Sequence, residues 1–433
     1  MSRSNSSIVS KVKSIWKTFF SNKETARELV ERNDLYKIAL ASTYRQLRLA
    51  SKPLSSSASA SASTHNKTEL EIMFDKATDS LEKETQAHEL GLRSLRFHVQ
   101  SLVQPQAIDL LQTCKDVDEQ LKLPQDDDGN VDENREEVIG ICKGHLLQER
   151  NDIRDVLEQT TTERQRAYLE QRLNALQILS TFYEWENAST TSDAPSKDGD
   201  AFGYHINQNN EINKSIRCYQ MINLTKALLI KKHLGYATLA LKSSIPKAGR
   251  GVFVDGFAPA GSLVAFVPGK VWPKEYLLNV KASSPVFKED PKQQLSIRYD
   301  DILIDSRKAP YTVLDNENSN AFGIGHIVNH PSKSNVPNCG TVMIDLMENM
   351  NLQQKGLDAY VPNTYVKQPM MFGPQAMDRE KVAMHGFGLI ASRDLENEEL
   401  FYDYRLSPGE EVSYPSWYHV CDEEELKNRW TQS

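Results

Sequence analysis

The sequence predicts an α+β protein in which an all-helical N-terminal region precedes a domain of small curled β-sheets. Two observations carry this. Over the first 200 residues the apolar positions recur at helical spacing, and after about residue 214 the texture changes to short β-type runs broken by Gly and Pro. Many short strands separated by turns describe small sheets, not a parallel α/β sheet.

The predicted elements follow in chain order. Residues 1–50 read as N-terminal helices, with Leu29, Leu35, Ile38 and Leu47 as candidate buried positions. The first 23 residues carry Arg3, Lys11, Lys13, Lys17 and Lys23 and no acid. Ile8, Val12, Ile15, Trp16 and Phe19 share one helical face there, so the segment reads as a first packing helix or as a transit-peptide-like start. Residues 51–68 form a Ser/Ala-rich linker. A helical domain spans 69–187, broken at Pro105, with a further helix from Ala107 to Leu123. Asp126-Asp127-Asp128-Gly129 reads as a solvated loop, since the remaining ligand positions of a calcium loop are not evident. The stripe Val138, Cys142, Leu146, Ile153 and Leu157, continued by Leu169, Leu173, Leu176 and Phe182, favours an antiparallel hairpin or bundle over a long coiled coil. A second polar linker covers 188–213, a helix covers 214–235, and the strand-rich domain covers 236–408. Residues 409–433 are an aromatic and acidic tail.

Composition narrows the function. A length of 433 residues allows two or three domains, and a net charge of −8 argues against a nucleic-acid-binding surface over the whole molecule. The five cysteines lie far apart with no CxxC pair, which fits neither a disulfide framework nor a zinc cluster. That pattern suits a reducing compartment, nucleus or cytoplasm, with the mitochondrion left open by the basic start. No apolar run approaches the roughly 20 residues of a membrane span.

Three short signals arrive in order in the strand-rich domain. Gly249-Arg250-Gly251 precedes Val252-Phe253-Val254. Its two glycines permit close backbone approach to a ligand, and a tight turn explains them equally well. Asn329-His330 follows an apolar run, and an asparagine amide both donates and accepts, which suits a nucleoside or amino-acid ligand. Pro337-Asn338-Cys339 reads as a turn with a small buried thiol. Glu398-Glu399-Leu400-Phe401-Tyr402-Asp403-Tyr404 is the sharpest of the set.

In that order these motifs resemble the core of SET-domain protein lysine methyltransferases, over about Thr238 to Leu406. Within the family the chain looks closest to the branch called SET domain-containing protein 9, on the insertion between Leu346 and Met384 that carries Tyr360-Val361-Pro362-Asn363. The resemblance implies a SET domain with a pseudoknot and S-adenosylmethionine as methyl donor. It assigns donor binding to Gly249, Arg250, Gly251, Asn329, His330 and Tyr404, and catalysis to Tyr404. It puts Val267, Tyr402 and Trp417 in the channel for the target lysine, Val267 standing where the family has a tyrosine. The aromatic tail, with Tyr414, Trp417 and Tyr418, closes that channel or packs on the domain. No metal is required for such a reaction. The implied partner is a protein with an exposed lysine, and a further protein is expected to dock on a helical region that works as a separate recognition unit. A SET-fold interaction module without activity is the second reading, suggested by Val267 and by the lengthened loop after Asn329-His330.

Overall fold

Helix α1 (Ala26–Ala50) buries Val30, Leu35, Ile38 and Ala39, a stripe at three- to five-residue spacing that turns one face inward. The computed structural model describes residues 26–50, 92–121, 131–160, 163–187, 210–273, 295–307, 320–366, 382–406, 414–424 and 426. The basic start, the Ser/Ala-rich linker, the 188–209 part of the second linker and the Asp126-Asp127-Asp128-Gly129 run lie outside the described residues.

Helix α2 (Leu92–Gln120) runs without interruption through Pro105, where the sequence predicted a break. Pro105 lies on the exposed side of the helix, and the turn it disrupts begins at the exposed Ser101. The proline penalty of about 3 kcal/mol is outweighed because Leu95, Val99, Leu102, Val103, Ala107, Leu110 and Leu111 are buried on both sides of it. Helices α3 (Val131–Gln159) and α4 (Glu163–Asn187) pack together as the expected hairpin, and α5 (Asn210–Leu234) packs on α3 and on the first strand.

Three small sheets follow. In the first, β2 (Arg250–Ala258) lies between β1 (Tyr236–Lys242) and the short β10 (Leu395–Glu396), all antiparallel. In the second, β9 (Val382–Ala391) lies between β3 (Leu263–Phe266) and β7 (Cys339–Met347). The third runs β5 (Leu295–Ile297), β6 (Leu303–Asp305), β4 (Gly269–Trp272) and β8 (Asn363–Tyr365), with β4 and β8 parallel. Buried Arg298 ties the third sheet to the second by donating to the Gly386 carbonyl at 2.7 Å and to Asp345 at 2.8 Å. The fold is therefore α+β, with helices first and small sheets after. Among the described residues no helix is long and apolar enough to cross a membrane.

The helical region does not stand apart as the sequence suggested: helices and strands share one continuous core. Glutamines of α2 cap both edges of the second sheet. Gln100 donates to the Met343 carbonyl at 2.7 Å and accepts from the Asp345 N–H at 3.1 Å, and Gln104 donates to the Asp345 carbonyl at 2.7 Å. On the opposite edge, buried Gln106 donates to the Gly261 carbonyl at 3.1 Å and accepts from the Leu263 N–H at 3.0 Å. A side chain thus replaces the missing neighbour strand on each edge. Helix α4 meets β2 through buried Arg172, 3.1 Å from Asp255, with Lys231 also 3.1 Å from that carboxylate. Burial alone would raise the Asp255 carboxyl, yet Arg172 and Lys231 hold it below the ordinary carboxylate value.

Gln106→Leu keeps the volume of the side chain but leaves the Gly261 carbonyl and the Leu263 N–H unpaired. We expect a loss of about 2 kcal/mol or more of unfolding free energy, read by chemical denaturation. A loss below about 0.5 kcal/mol would mean that water satisfies this edge.

Candidate functional site

The site is assembled around a stretch that belongs to no regular strand, residues 398–404. On one side it pairs with β2: the Val254 N–H donates to the Glu398 carbonyl at 2.9 Å and the Leu400 N–H to the Val252 carbonyl at 2.7 Å. On the other side both limbs of the 329–339 loop hold it. Asn329 bridges to Phe401, and the Tyr402 N–H donates to the Asn329 carbonyl at 3.2 Å. From the second limb, the Asn338 amide donates to the Glu399 carbonyl at 2.8 Å and accepts from the Phe401 N–H at 2.7 Å. Pro337-Asn338-Cys339 is thus more than a turn, since Asn338 is 1% exposed and pairs with main chain as a strand residue would. A segment bonded from both limbs of one loop is what a threaded crossing requires. Cys339 is a buried thiol donating to the Phe401 carbonyl at 3.2 Å, and burial pushes it far above the ordinary thiol value, away from nucleophilic use.

Glu399 joins the motifs. Its carboxylate, buried at 3% exposure, accepts from Ser243 Oγ at 2.7 Å, from the Ser244 N–H at 2.8 Å and from Ser244 Oγ at 2.5 Å. The Asn329 amide donates to it at 3.3 Å and also to the Arg250 carbonyl at 2.9 Å and Ser243 Oγ at 3.1 Å. A side chain at Gly251 would collide with the Glu399 carboxyl group, so this glycine makes room for an internal carboxylate. Gly249 has a different reason: its φ of 76° is left-handed, and nothing stands within 4 Å of where its side chain would be. Gly249, Arg250, Gly251 and Asn329 lie together around Glu399, and the Asn329 amide faces protein groups.

His330 sits in an aromatic cluster. Tyr418 stacks on it at 4.5 Å between centroids, with His419 at 4.9 Å, Tyr404 at 5.5 Å and Trp417 at 6.3 Å. Its Nε2 donates to the His419 carbonyl at 2.8 Å, while its Nδ1 accepts from the Tyr404 N–H at 3.3 Å. Those partners assign the neutral Nε2–H tautomer. Burial lowers its pKa, in keeping with a neutral ring. Cys421 Sγ and a His419 nitrogen also lie with His330 in a group whose ligand atoms are within 4.8 Å of one another. In this arrangement both His330 nitrogens meet backbone partners.

Tyr404 is the centre of the cluster. Its hydroxyl donates to the Val328 carbonyl at 2.8 Å, and burial pushes its pKa up to about 12. Tyr402 packs on it at 4.9 Å, and Trp417 meets it edge-on at 6.1 Å while remaining 59% exposed. The tail packs over this region, with the Leu406 N–H donating to Tyr418 Oη at 3.2 Å. Val267 does not join these rings; it lies buried in a separate apolar cluster with Ile304 and Phe387. Sequence reasoning missed Glu399 and Asn338 as parts of the site, although two acids ahead of an apolar run are a signal of burial, and both Glu398 and Glu399 turn inward.

No protein-family model matches the chain, and no curated protein matches it. A structural comparison finds similarity to a crystal structure of CpSET8 from Cryptosporidium, with 15% sequence identity and a TM-score of 0.23, covering 55% of this chain and 97% of that one. At that TM-score the likeness bears neither on the fold nor on the chemistry.

His326, in the 3-10 turn Gly325–Ile327, supplies a pH test of this region. Burial, with Arg250 nearby, lowers its pKa from 6.5 to about 3. The unfolded chain therefore takes up this proton first, and the stability tied to the neutral ring is lost as pH falls below 6.5. We expect the melting temperature to drop between pH 6.5 and 4.5, with His326→Gln flattening the slope by up to about 1.4 kcal/mol per pH unit. An unchanged slope in that variant would show that His326 is protonated in the folded state.

Proposed function

We propose that this protein is an S-adenosylmethionine-dependent methyltransferase acting on lysine side chains of proteins. The observation that carries the reading is the convergence of Gly249-Arg250-Gly251, Asn329-His330 and Glu398–Tyr404 on one site, in the order in which the sequence resembles SET enzymes. In this reading Gly249 is where a ligand meets the backbone, while Asn329 and His330 fix the loop that faces it. The donor supplies a methyl group on a cationic sulfur.

Tyr404 has the chemistry this transfer needs. Its only hydroxyl proton goes to the Val328 carbonyl, which leaves the oxygen lone pairs as acceptors. A phenol raised to about 12 stays neutral at physiological pH and accepts from an amine N–H or from a polarised methyl C–H. Lysine reacts only as the free amine, and a desolvated channel beside a cation disfavours its ammonium form. Carbon–nitrogen bond formation then accompanies carbon–sulfur cleavage, and the product ammonium releases one proton to solvent. Tyr402 and the half-exposed Trp417 flank the mouth of the channel in this reading. The assignment to a particular branch rests on the sequence resemblance alone.

Val267 favours a second reading, an interaction module on the same fold. Its apolar cluster offers no hydroxyl where the family uses one. Calorimetric titration with S-adenosylmethionine separates the two: donor binding supports the enzyme, and its absence supports the module.

Asn329→Ala removes three hydrogen bonds behind the proposed donor pocket. We expect at least tenfold weaker donor binding, about 1.4 kcal/mol, with the fold intact, and unchanged affinity would dismiss the pocket. Tyr404→Phe keeps the ring and removes one oxygen. Radiolabelled methyl transfer to proteins of a cell extract should fall by two or more orders of magnitude, about 3 kcal/mol of barrier, while donor affinity changes far less. Equal labelling by wild type and variant would remove Tyr404 from the mechanism.

A further inference from the structure

We infer that Asp34, on the N-terminal helix α1, is a positioning residue for Tyr404, acting through Arg405; the catalytic part of this inference rests on the methyl-transfer reading. Arg405 follows Tyr404 directly and has a φ of 50°, a left-handed backbone that a non-glycine residue adopts only when its surroundings impose it. The structure contains what imposes it. Both terminal nitrogens of Arg405 donate to Asp34, at 2.5 Å to Oδ2 and 2.8 Å to Oδ1, in the two-pronged geometry that fixes a guanidinium in orientation as well as place. Tyr299 completes the group: its hydroxyl donates to Asp34 Oδ2 at 2.5 Å and accepts from Arg405 Nη1 at 3.2 Å. Asp34 and Arg405 are only 12% and 21% exposed at their side chains, so water competes little for this pair.

Residue 405 is also where the Tyr404 segment turns into the tail. On one side the Tyr404 N–H and hydroxyl are fixed to His330 and Val328, and on the other the Leu406 N–H is fixed to Tyr418. The Arg405 N–H donates to Asp403 at 3.0 Å and closes the turn. A guanidinium held from outside therefore sets the angle between the Tyr404 ring and the aromatic tail. Helix α1 is a firm base for this. A side chain at Gly261 would collide with the Ala41 carbonyl, so helix and turn are in backbone contact, and Arg48 binds Asp394 at 2.6 Å while lying over the Phe257 ring at 4.6 Å. Tyr299 is steadied in turn by its neighbour, buried Arg298.

The test places 3-fluorotyrosine at position 404 of the full chain and records its fluorine NMR signal in wild type, Asp34→Ala, Asp34→Asn and Arg48→Ala. Asp34→Ala should shift and broaden the signal. Asp34→Asn, which keeps shape and one carbonyl oxygen, should give a smaller change in the same direction and serves if the alanine variant does not fold. Arg48→Ala removes a different contact of the same helix and should leave the signal at its wild-type position even where the melting temperature falls. A wild-type signal in both Asp34 variants, or an equal displacement in Arg48→Ala, overturns the inference. In methyl transfer, Asp34→Ala should lower kcat at least tenfold with the donor Kd within twofold of wild type, and an unchanged kcat overturns the catalytic part. A wild type that binds no donor defeats the methyl-transfer reading instead, and the fluorine signal still decides whether Asp34 positions Tyr404.

Discussion

One buried carboxylate holds the architecture of the site together. Glu399 has been taken out of water, which is costly unless its oxygens are met by donors. Here two serines of the β1–β2 turn, a backbone N–H and the Asn329 amide all meet it. Those donors come from chain segments more than 60 residues apart in sequence, so satisfying one charge brings the glycine turn, the 329–339 loop and the 398–404 segment into register. Gly251 is a consequence of the same constraint. Replace it by any residue with a side chain, and the carboxylate loses the space from which it reaches its partners.

Beside that anchor, burial favours the neutral form of four groups. Burial lowers His326 and His330, raises Tyr404 to about 12, and raises Cys339 further. The rings of this region offer faces that attract positive charge, and the Asp403 carboxylate lies 3.7 Å from His330 beside them. His330 contributes by geometry, as the ring on which Tyr418, His419 and Tyr404 converge, with each nitrogen assigned to a backbone partner.

Much of the architecture was legible in the sequence where one physical rule dominates locally. The β-type runs after about residue 214 are short strands among the described residues, and the α3–α4 hairpin follows from its broken stripe. Failures occur where tertiary contacts decide. Pro105 sits inside a helix because burial on both sides outweighs a local penalty. β4 and β8 are four and three residues long and exist only by their pairing within the third sheet, β8 in parallel with β4, and β4 antiparallel with β6 as well. The Glu398–Tyr404 motif lies outside the regular strands, held by bridges and side chains, and no residue pattern announces those partners. Glu399, Asn338 and Asp34 lie in the same category: an acid or an amide in a polar-looking stretch reads as surface until its distant partner is known. The glutamines of α2 serve as sheet edges, a role that helical spacing does not announce.

The meeting of α1 with the 404–406 turn has a consequence for how the molecule forms. Asp34 and Arg405 are 371 positions apart, so the loop they close includes nearly every described element. Contacts of such separation carry a high loop-closure cost and are made late, after local helices and hairpins have formed. During synthesis, α1 leaves the ribosome long before Arg405 exists, and its inward face is met first by α2, then by the Gly261 turn and β7, with Arg405 last. The Tyr404 turn is then set by the last closure of the fold, so the finished site reports that the whole chain has folded.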